Sequence, residues 1–356
     1  MKDQKSPGFT KLGDTFQESD FFRAIAKELE AKAPAPTPAK ALPSKSERRL
    51  IETAVEVRQD PPDKDELAFM ARELVQCTLP HSDPGQVPFW ARRNGNFTLS
   101  ITSQFDPQTG KLVGYPYGSL PRLLLFWLTS EAVRTGNRKL ELGSTYNEFL
   151  RTIGLSPNTG GGARGDGPRV RNQSRRLFTS NISFIYAEQG QQAALGRGAY
   201  REARVNMNVT SRMMLWWDPK QPDQMTLWDN WIELSDEFFK ALTAAPVPLD
   251  MRALRALKRS PLALDLYAWA THKALTVARK GRSQFVPWRG LATQFGADYS
   301  DHHNFKKKAH DAFRKIQSVY PGLKLQPATG GIIVLPSSRP AIASKPSKRG
   351  ELPPGK

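Results

Sequence analysis

The chain has a single cysteine, Cys77, so an intramolecular disulfide framework is excluded and a reducing cytosol is the expected compartment. Its place on the apolar side of a helix gives it a packing role. No apolar run approaches the ~20 residues that span a bilayer, and the opening MKDQKSPGFT lacks the apolar stretch of a signal peptide. The chain also lacks G-x-x-x-x-G-K-[ST], and its GGGARGDG loop has neither the lysine nor the hydroxyl that a phosphate-binding loop supplies, which argues against an ATPase. The five histidines offer no metal pair, because His302 and His303 are adjacent and adjacent residues do not face one another on a helix. A nicking enzyme would need a strand-borne histidine pair beside a nucleophilic tyrosine, and that arrangement is missing. These absences describe a binding protein, not an enzyme, with no cofactor and no metal.

Acidic residues are also scarce: 34 Asp and Glu stand against 52 Lys and Arg, a formal charge of +18. Such an excess favours a polyanionic partner, nucleic acid first and a membrane surface second. The 356 residues suffice for about two or three domains, and 39% hydrophobic content fills ordinary cores.

The most informative stretch is DHHNFKKKAHDAFRKIQSVY, residues 301–320. Phe305, Ala309, Ala312, Phe313, Ile316, Val319 and Tyr320 recur at helical spacing and predict an apolar stripe facing a core. His303, Lys307, His310, Arg314 and Ser318 fall opposite, flanked by Asn304, Asp311 and Lys315. Ser300 or Asp301 can cap the start and Pro321-Gly322 ends it. Ahead of it, Trp288, Leu291, Ala292 and Phe295 predict a short helix stopped by Gly296. Behind it, Leu323 to Leu325 and Gly331 to Leu335 predict a hairpin. A short helix, a turn, a basic helix and a hairpin make a winged helix, whose second helix enters the DNA major groove.

The same plan precedes it. Ser119-Leu120-Pro121 starts an almost wholly apolar helix, Lys139 to Leu142 is a short strand, and Thr145 with Glu148 predicts a capping box for a helix stopped by Gly154. After the Gly-rich loop, Pro168 opens a helix in which Val170, Leu177 and Phe178 point inward. Arg169, Arg171, Asn172, Arg175 and Arg176 remain for a solvent or DNA face. Strands Ile182 to Tyr186 and Val205 to Val209 make a wing. Ser119 to Tyr146 and Ser260 to Trp288 span nearly the same distance, which reads as a structural duplication.

Elsewhere, Phe21 or Phe22 with Ile25 and Leu29 gives a short amphipathic segment before a Pro/Ala/Lys linker, and Glu47 to Arg58 a second short helix expected to order only on a partner. Asp65 to Cys77 reads as a helix. Asn96 to Gln104 and Leu112 to Tyr115 read as a hairpin around DPQTGK. Met213 to Trp217 and Met225 to Leu234 read as strands, Ser235 as the cap of a further helix, and Ala245 to Pro248 as a boundary.

GYPYGSLPRLLLFWLTSEAVRTGNRKLELGSTYNEFL, RNQSRRLF, ALKRSPLALDLYAWAT and FKKKAHDAFRKI followed by YPG resemble the RepA-type replication initiators of bacterial plasmids, over roughly Pro88 to Pro340. The resemblance implies tandem winged helices that bind repeated DNA sites (iterons) at a plasmid origin and promote its opening. It also implies recruitment of the host replicative helicase and host initiator, and a homodimeric form that represses the chain's own promoter.

The expectation is therefore an α+β fold: a first winged-helix domain over 65–245 and a second over 246–340, related by duplication. A disordered arm over 1–64 and a basic tail over 341–356 flank them. The candidate partner is double-stranded origin DNA, and no membrane is expected. The candidate contacts are Arg164, Arg169, Arg171, Asn172, Arg175 and Arg176 in the first half, and His303, Asn304, Lys306, Lys307, Lys308, Arg314 and Lys315 in the second. A sequence-specific transcriptional repressor of the same fold is the alternative reading.

Overall fold

The computed structural model describes residues 43–156, 166–189, 200–215, 230–296 and 302–342. The chain divides into units 1–44 and 45–356, and every element named here belongs to the second. In order these are helix α1 (Lys45–Gln59), strand β1 (Leu67–Ala71), helix α2 (Arg72–Gln76), strands β2 (Trp90–Asn94) and β3 (Phe97–Thr102), and helix α3 (Ser119–Thr135). Strand β4 (Lys139–Glu141), helices α4 (Tyr146–Thr152) and α5 (Asp166–Phe178), and strands β5 (Asn181–Gln189), β6 (Tyr200–Asn208), β7 (Thr210–Met214) and β8 (Trp231–Leu234) follow, then helix α6 (Asp236–Thr243). Strand β9 (Pro246–Asp250) leads to helices α7 (Met251–Leu257) and α8 (Pro261–Lys280), strand β10 (Gln284–Pro287), helices α9 (Trp288–Phe295) and α10 (His302–Val319), and strands β11 (Leu325–Ala328) and β12 (Gly331–Val334). The α+β class is as the sequence predicts.

Two long helices hold the core. In α3 every residue from Leu120 to Thr129 is buried, as an all-round apolar helix requires. It packs on β1, α5, α6 and α8, and Trp127 meets Phe149 of α4 edge-on at 5.3 Å. In α8, Ser260 Oγ accepts from the Ala263 N–H at 3.2 Å and Pro261 follows in the first turn, where its missing N–H costs nothing. Trp269 of α8 meets Phe295 of α9 and Phe313 of α10, both edge-on.

The strands form four antiparallel sheets, in the orders β2-β3-β5-β6, β4-β8-β7, β10-β12-β11 and β1-β9. Helix, short strand, two helices and hairpin occur in that order twice: α3, β4, α4, α5, β5-β6, and α8, β10, α9, α10, β11-β12. The strand partners differ, since β10 pairs with β12 of its own hairpin whereas β4 pairs with β8.

Several expectations are corrected. The helix expected over Asp65 to Cys77 is a 3₁₀ turn, then β1, then only the short α2. Leu67 to Ala71 are extended because β9 supplies their backbone partners, Leu67 opposite Asp250 and Ala71 opposite Pro246, and helical spacing cannot report a partner so far along the chain. The Ala245 to Pro248 stretch, expected as a boundary, runs into β9. Its two prolines are tolerated in a two-stranded ladder, where each strand is an edge.

The hairpin expected around DPQTGK is one isolated bridge, Phe105 to Leu112. β3 instead pairs with β2 across a Gly95-Asn96 connection and with β5 on its other side. Helix α1 does not wait for a partner: its face with Thr53 and Ala54 is buried, and it packs on α7 and α10, which offset the marginal stability it would have alone. Thr145 caps α4 as predicted, but the Glu148 carboxylate accepts from the Ser144 N–H, not from Thr145. The segment around Phe21 to Leu29, the linker after it, the loop at 157–165, the wing tip at 190–199, residues 216–229, the Ser300 or Asp301 cap and the tail from 343 lie outside the described residues.

Candidate nucleic-acid interface

The residues of α10 separate into two faces. Phe305, Ala309, Ala312, Phe313, Ile316 and Val319 are buried, while His303, Asn304, Lys306, Lys307, Lys308, His310, Arg314 and Lys315 are exposed. The core face fixes the helix, so the basic face is fixed too. Among the described residues, Lys306, Lys307, Lys308 and Lys315 have no carboxylate in ion-pair range. Arg314 differs, because it binds the Asp311 carboxylate one turn back. That hydrogen bond, with burial opposing it and the charges of Arg314, Lys308 and Lys315 adding to it, holds the Asp311 carboxyl below its usual range.

Close packing sets where this face points. The Gly296 N–H closes α9 on the Ala292 carbonyl at 2.7 Å, and a Cβ on Gly296 would lie 2.7 Å from that oxygen and 2.8 Å from the Phe305 ring. Only glycine lets the end of α9 come so near α10. His310 rests on Trp288 at 4.6 Å between ring centres, and the Trp288 N–H donates to the Gly330 carbonyl at 3.0 Å. The hairpin tip is thus tied to the start of α9, and α9 to α10.

On α5, Val170, Leu177 and Phe178 are buried as predicted, and Arg169, Arg171, Asn172 and Arg175 are exposed. Carboxylates hold most of this row. Arg169 meets Asp166 at 3.5 Å and Arg175 meets Asp106 at 2.6 Å, which keeps the Asp106 carboxyl below its usual range. Arg176 is not on the open face assigned to it. It bonds Asp83 at 2.9 Å and the Tyr115 carbonyl at 3.1 Å, lies over the Tyr117 ring, and fills the space a Cβ on Gly114 would need. Arg164 lies outside the described residues. The described candidates therefore fall into two groups, seven residues on α10 with four uncompensated lysines, and five on α5 with mostly compensated arginines.

A buried polar centre between α3 and α8 was not among the sequence expectations. Arg122 of α3 binds Asp265 of α8 through Nε at 2.7 Å and Nη2 at 2.8 Å, and donates to the carbonyls of Leu79, Pro80 and Gly118. His81 Nε2 completes the Asp265 shell at 2.8 Å. Burial alone would raise the Asp265 carboxyl, but the Arg122 charge and the bonds from His81 and Arg122 outweigh it and hold the group at about 2. Asp265 sits in the apolar run LALDLYAWA, where an isolated carboxylate needs a buried cation; that lone charge was the available signal.

Residues 115–289 match the family model described as plasmid-encoded RepA protein. No curated protein matches the chain. A crystal structure of RctB domains 2-3, spanning RctB residues 155–483, aligns at 10% identity with a TM-score of 0.43, covering 74% of this chain and 94% of that one. A selenomethionine derivative of RctB domains 2 and 3 aligns at 11% identity and 0.42, covering 72% and 93%.

Proposed function

We propose, on the premise that residues 115–289 are those of a plasmid-encoded RepA protein, that the chain initiates plasmid replication by binding repeated duplex sites at the origin. The family match supports the initiator role as such. The observation that carries the DNA-binding part is the α10 face, where four lysines with no carboxylate in ion-pair range among the described residues line a helix whose opposite face is locked into the core. With α9 before it and the β11-β12 hairpin tied to α9 behind it, this half has the parts of a winged helix, and α10 occupies the position of the major-groove helix. The repeated element order supports a second head built on α5, and so the two-domain division at about residue 245. On this reading the chain acts as a binder and not as a catalyst, promotes origin opening, and hands the origin to the host initiator and helicase.

Equilibrium binding tests it. Titration of origin repeats and of random duplex over a range of salt should give tighter binding to the repeats and a log-log slope of about −0.9 per phosphate contacted. Equal affinity for both duplexes, or affinity independent of salt, would contradict the proposal.

A further inference from the structure

A cleft of about 1180 Å³ opens between α1, α7 and the first turn of α5. Eight of its lining side chains are Lys or Arg and four are Asp or Glu. Arg252 is already engaged, binding Asp250 at 2.8 Å and 3.1 Å, and Arg169 meets Asp166. Among the described residues, Arg49, Arg255, Lys258 and Arg259 have no carboxylate in ion-pair range. Lys258 Nζ donates to the Gly154 carbonyl at 2.6 Å, and Arg255 Nε is out of water without an acceptor. Gly154 leaves room for the Arg255 side chain, since a Cβ there would lie 3.0 Å from Arg255 Cγ. Burial first, and then the charges of Arg49, Arg259 and Arg255, opposed by that of Asp166, push the Lys258 ammonium below its usual range. Four cations are thus held together by the fold with no carboxylate in ion-pair range among the described residues, an arrangement that raises the local concentration of anions.

The cleft does not stand alone. A neighbouring cavity of about 460 Å³ shares Arg169 and Arg259 with it and adds Asn172. Arg169 and Asn172 belong to the exposed row of α5, so the cationic surface runs from that row into the cleft. Guanidinium forks at this density suit phosphate oxygens.

We propose that this cleft is a phosphate-binding channel that receives the DNA backbone where it leaves the exposed face of α5, so that α1, outside the matched family segment, is part of the DNA-binding surface. The inference rests on the DNA-binding reading above. Its contacts position the duplex and read no bases.

The test uses the full chain and the double variant Arg49→Ala/Arg259→Ala, whose two side chains are exposed and leave the core intact. Binding to the origin-repeat duplex across salt should show a slope shallower by about two units, with discrimination against single-base variants unchanged. Arg49→Lys/Arg259→Lys should recover most of the slope. If the wild type binds the duplex and the alanine variant matches it in affinity and slope, the cleft inference fails while the DNA reading stands. If the wild type itself shows no salt-dependent duplex binding, the DNA reading fails and the inference with it. Calorimetry with inorganic tripolyphosphate separates the remaining source. Binding of that anion lost in the alanine variant, with duplex binding unaltered, would assign the cleft to a free phosphate ligand and overturn the proposal.

Discussion

Arg122 and Asp265, 143 positions apart, face each other as a buried two-bond ion pair that ties the core helix of the first half to that of the second. Breaking such a pair leaves an uncompensated charge in the core, so Asp265→Asn should destabilise the fold by about 3 to 5 kcal/mol. Urea unfolding of variant and wild type measures it, and a loss under about 1 kcal/mol would show that the pair is not a tie.

The same pair predicts an acid profile. The Asp265 carboxyl is depressed from 3.8 unfolded to about 2 folded, so its contribution is complete above the unfolded value and lost as pH falls through the folded one. The loss should amount to roughly 2 to 3 kcal/mol between about pH 4 and pH 2. His81, pushed down mainly by burial, has the same sign and begins to erode stability below about 6.5. Unfolding free energies measured from pH 7 downward should therefore fall, and should fall less steeply in Asp265→Asn.

On α10, reading and positioning should separate. Asn304→Ala and Lys307→Ala, in the part that approaches base edges, should relax preference at particular bases by roughly 1 to 3 kcal/mol. Lys315→Ala, further along, should weaken all sequences alike and shallow the salt slope by about one unit. Because Asp311 already binds Arg314, Asp311→Asn should strengthen binding to every duplex. Titrations against cognate, single-base-variant and random DNA check all three.

Phe313 is 4% exposed on the core side of the same helix, so Phe313→Ala should cost about 3 to 5 kcal/mol of folding stability. Denaturant unfolding reads it. A fully stable variant would place Phe313 outside the core and undo the fixed orientation of the basic face.

Cys77 is buried, and burial pushes its thiol up to about 12, against smaller opposing effects of a backbone hydrogen bond and Arg92. The folded chain should leave a chromogenic disulfide reagent at pH 8 unreacted until denaturant is added. Rapid reaction without denaturant would contradict that burial.

The parts legible in the sequence were local. The faces of α10, the buried α3, the Thr145 and Ser235 caps and the Gly296 stop each follow from spacing or capping within one turn or two. What was not legible depends on distant partners: β1 is a strand because of β9, Arg176 is a wall residue because of Asp83 and Tyr115, and the cleft joins Arg49 to Arg259. Asn94-Gly95 was a turn signal that would have placed the β2-β3 hairpin correctly, since Gly95 takes φ +59° there.

The most direct test of the account is replication itself. A plasmid carrying only the origin repeats is supplied in trans with the wild-type chain or with Lys306→Ala/Lys307→Ala/Lys308→Ala, which alters only exposed side chains. The wild type should maintain the plasmid and the triple variant, folded to the same stability, should not. Maintenance at equal copy number by both would contradict an initiator that engages its origin through α10.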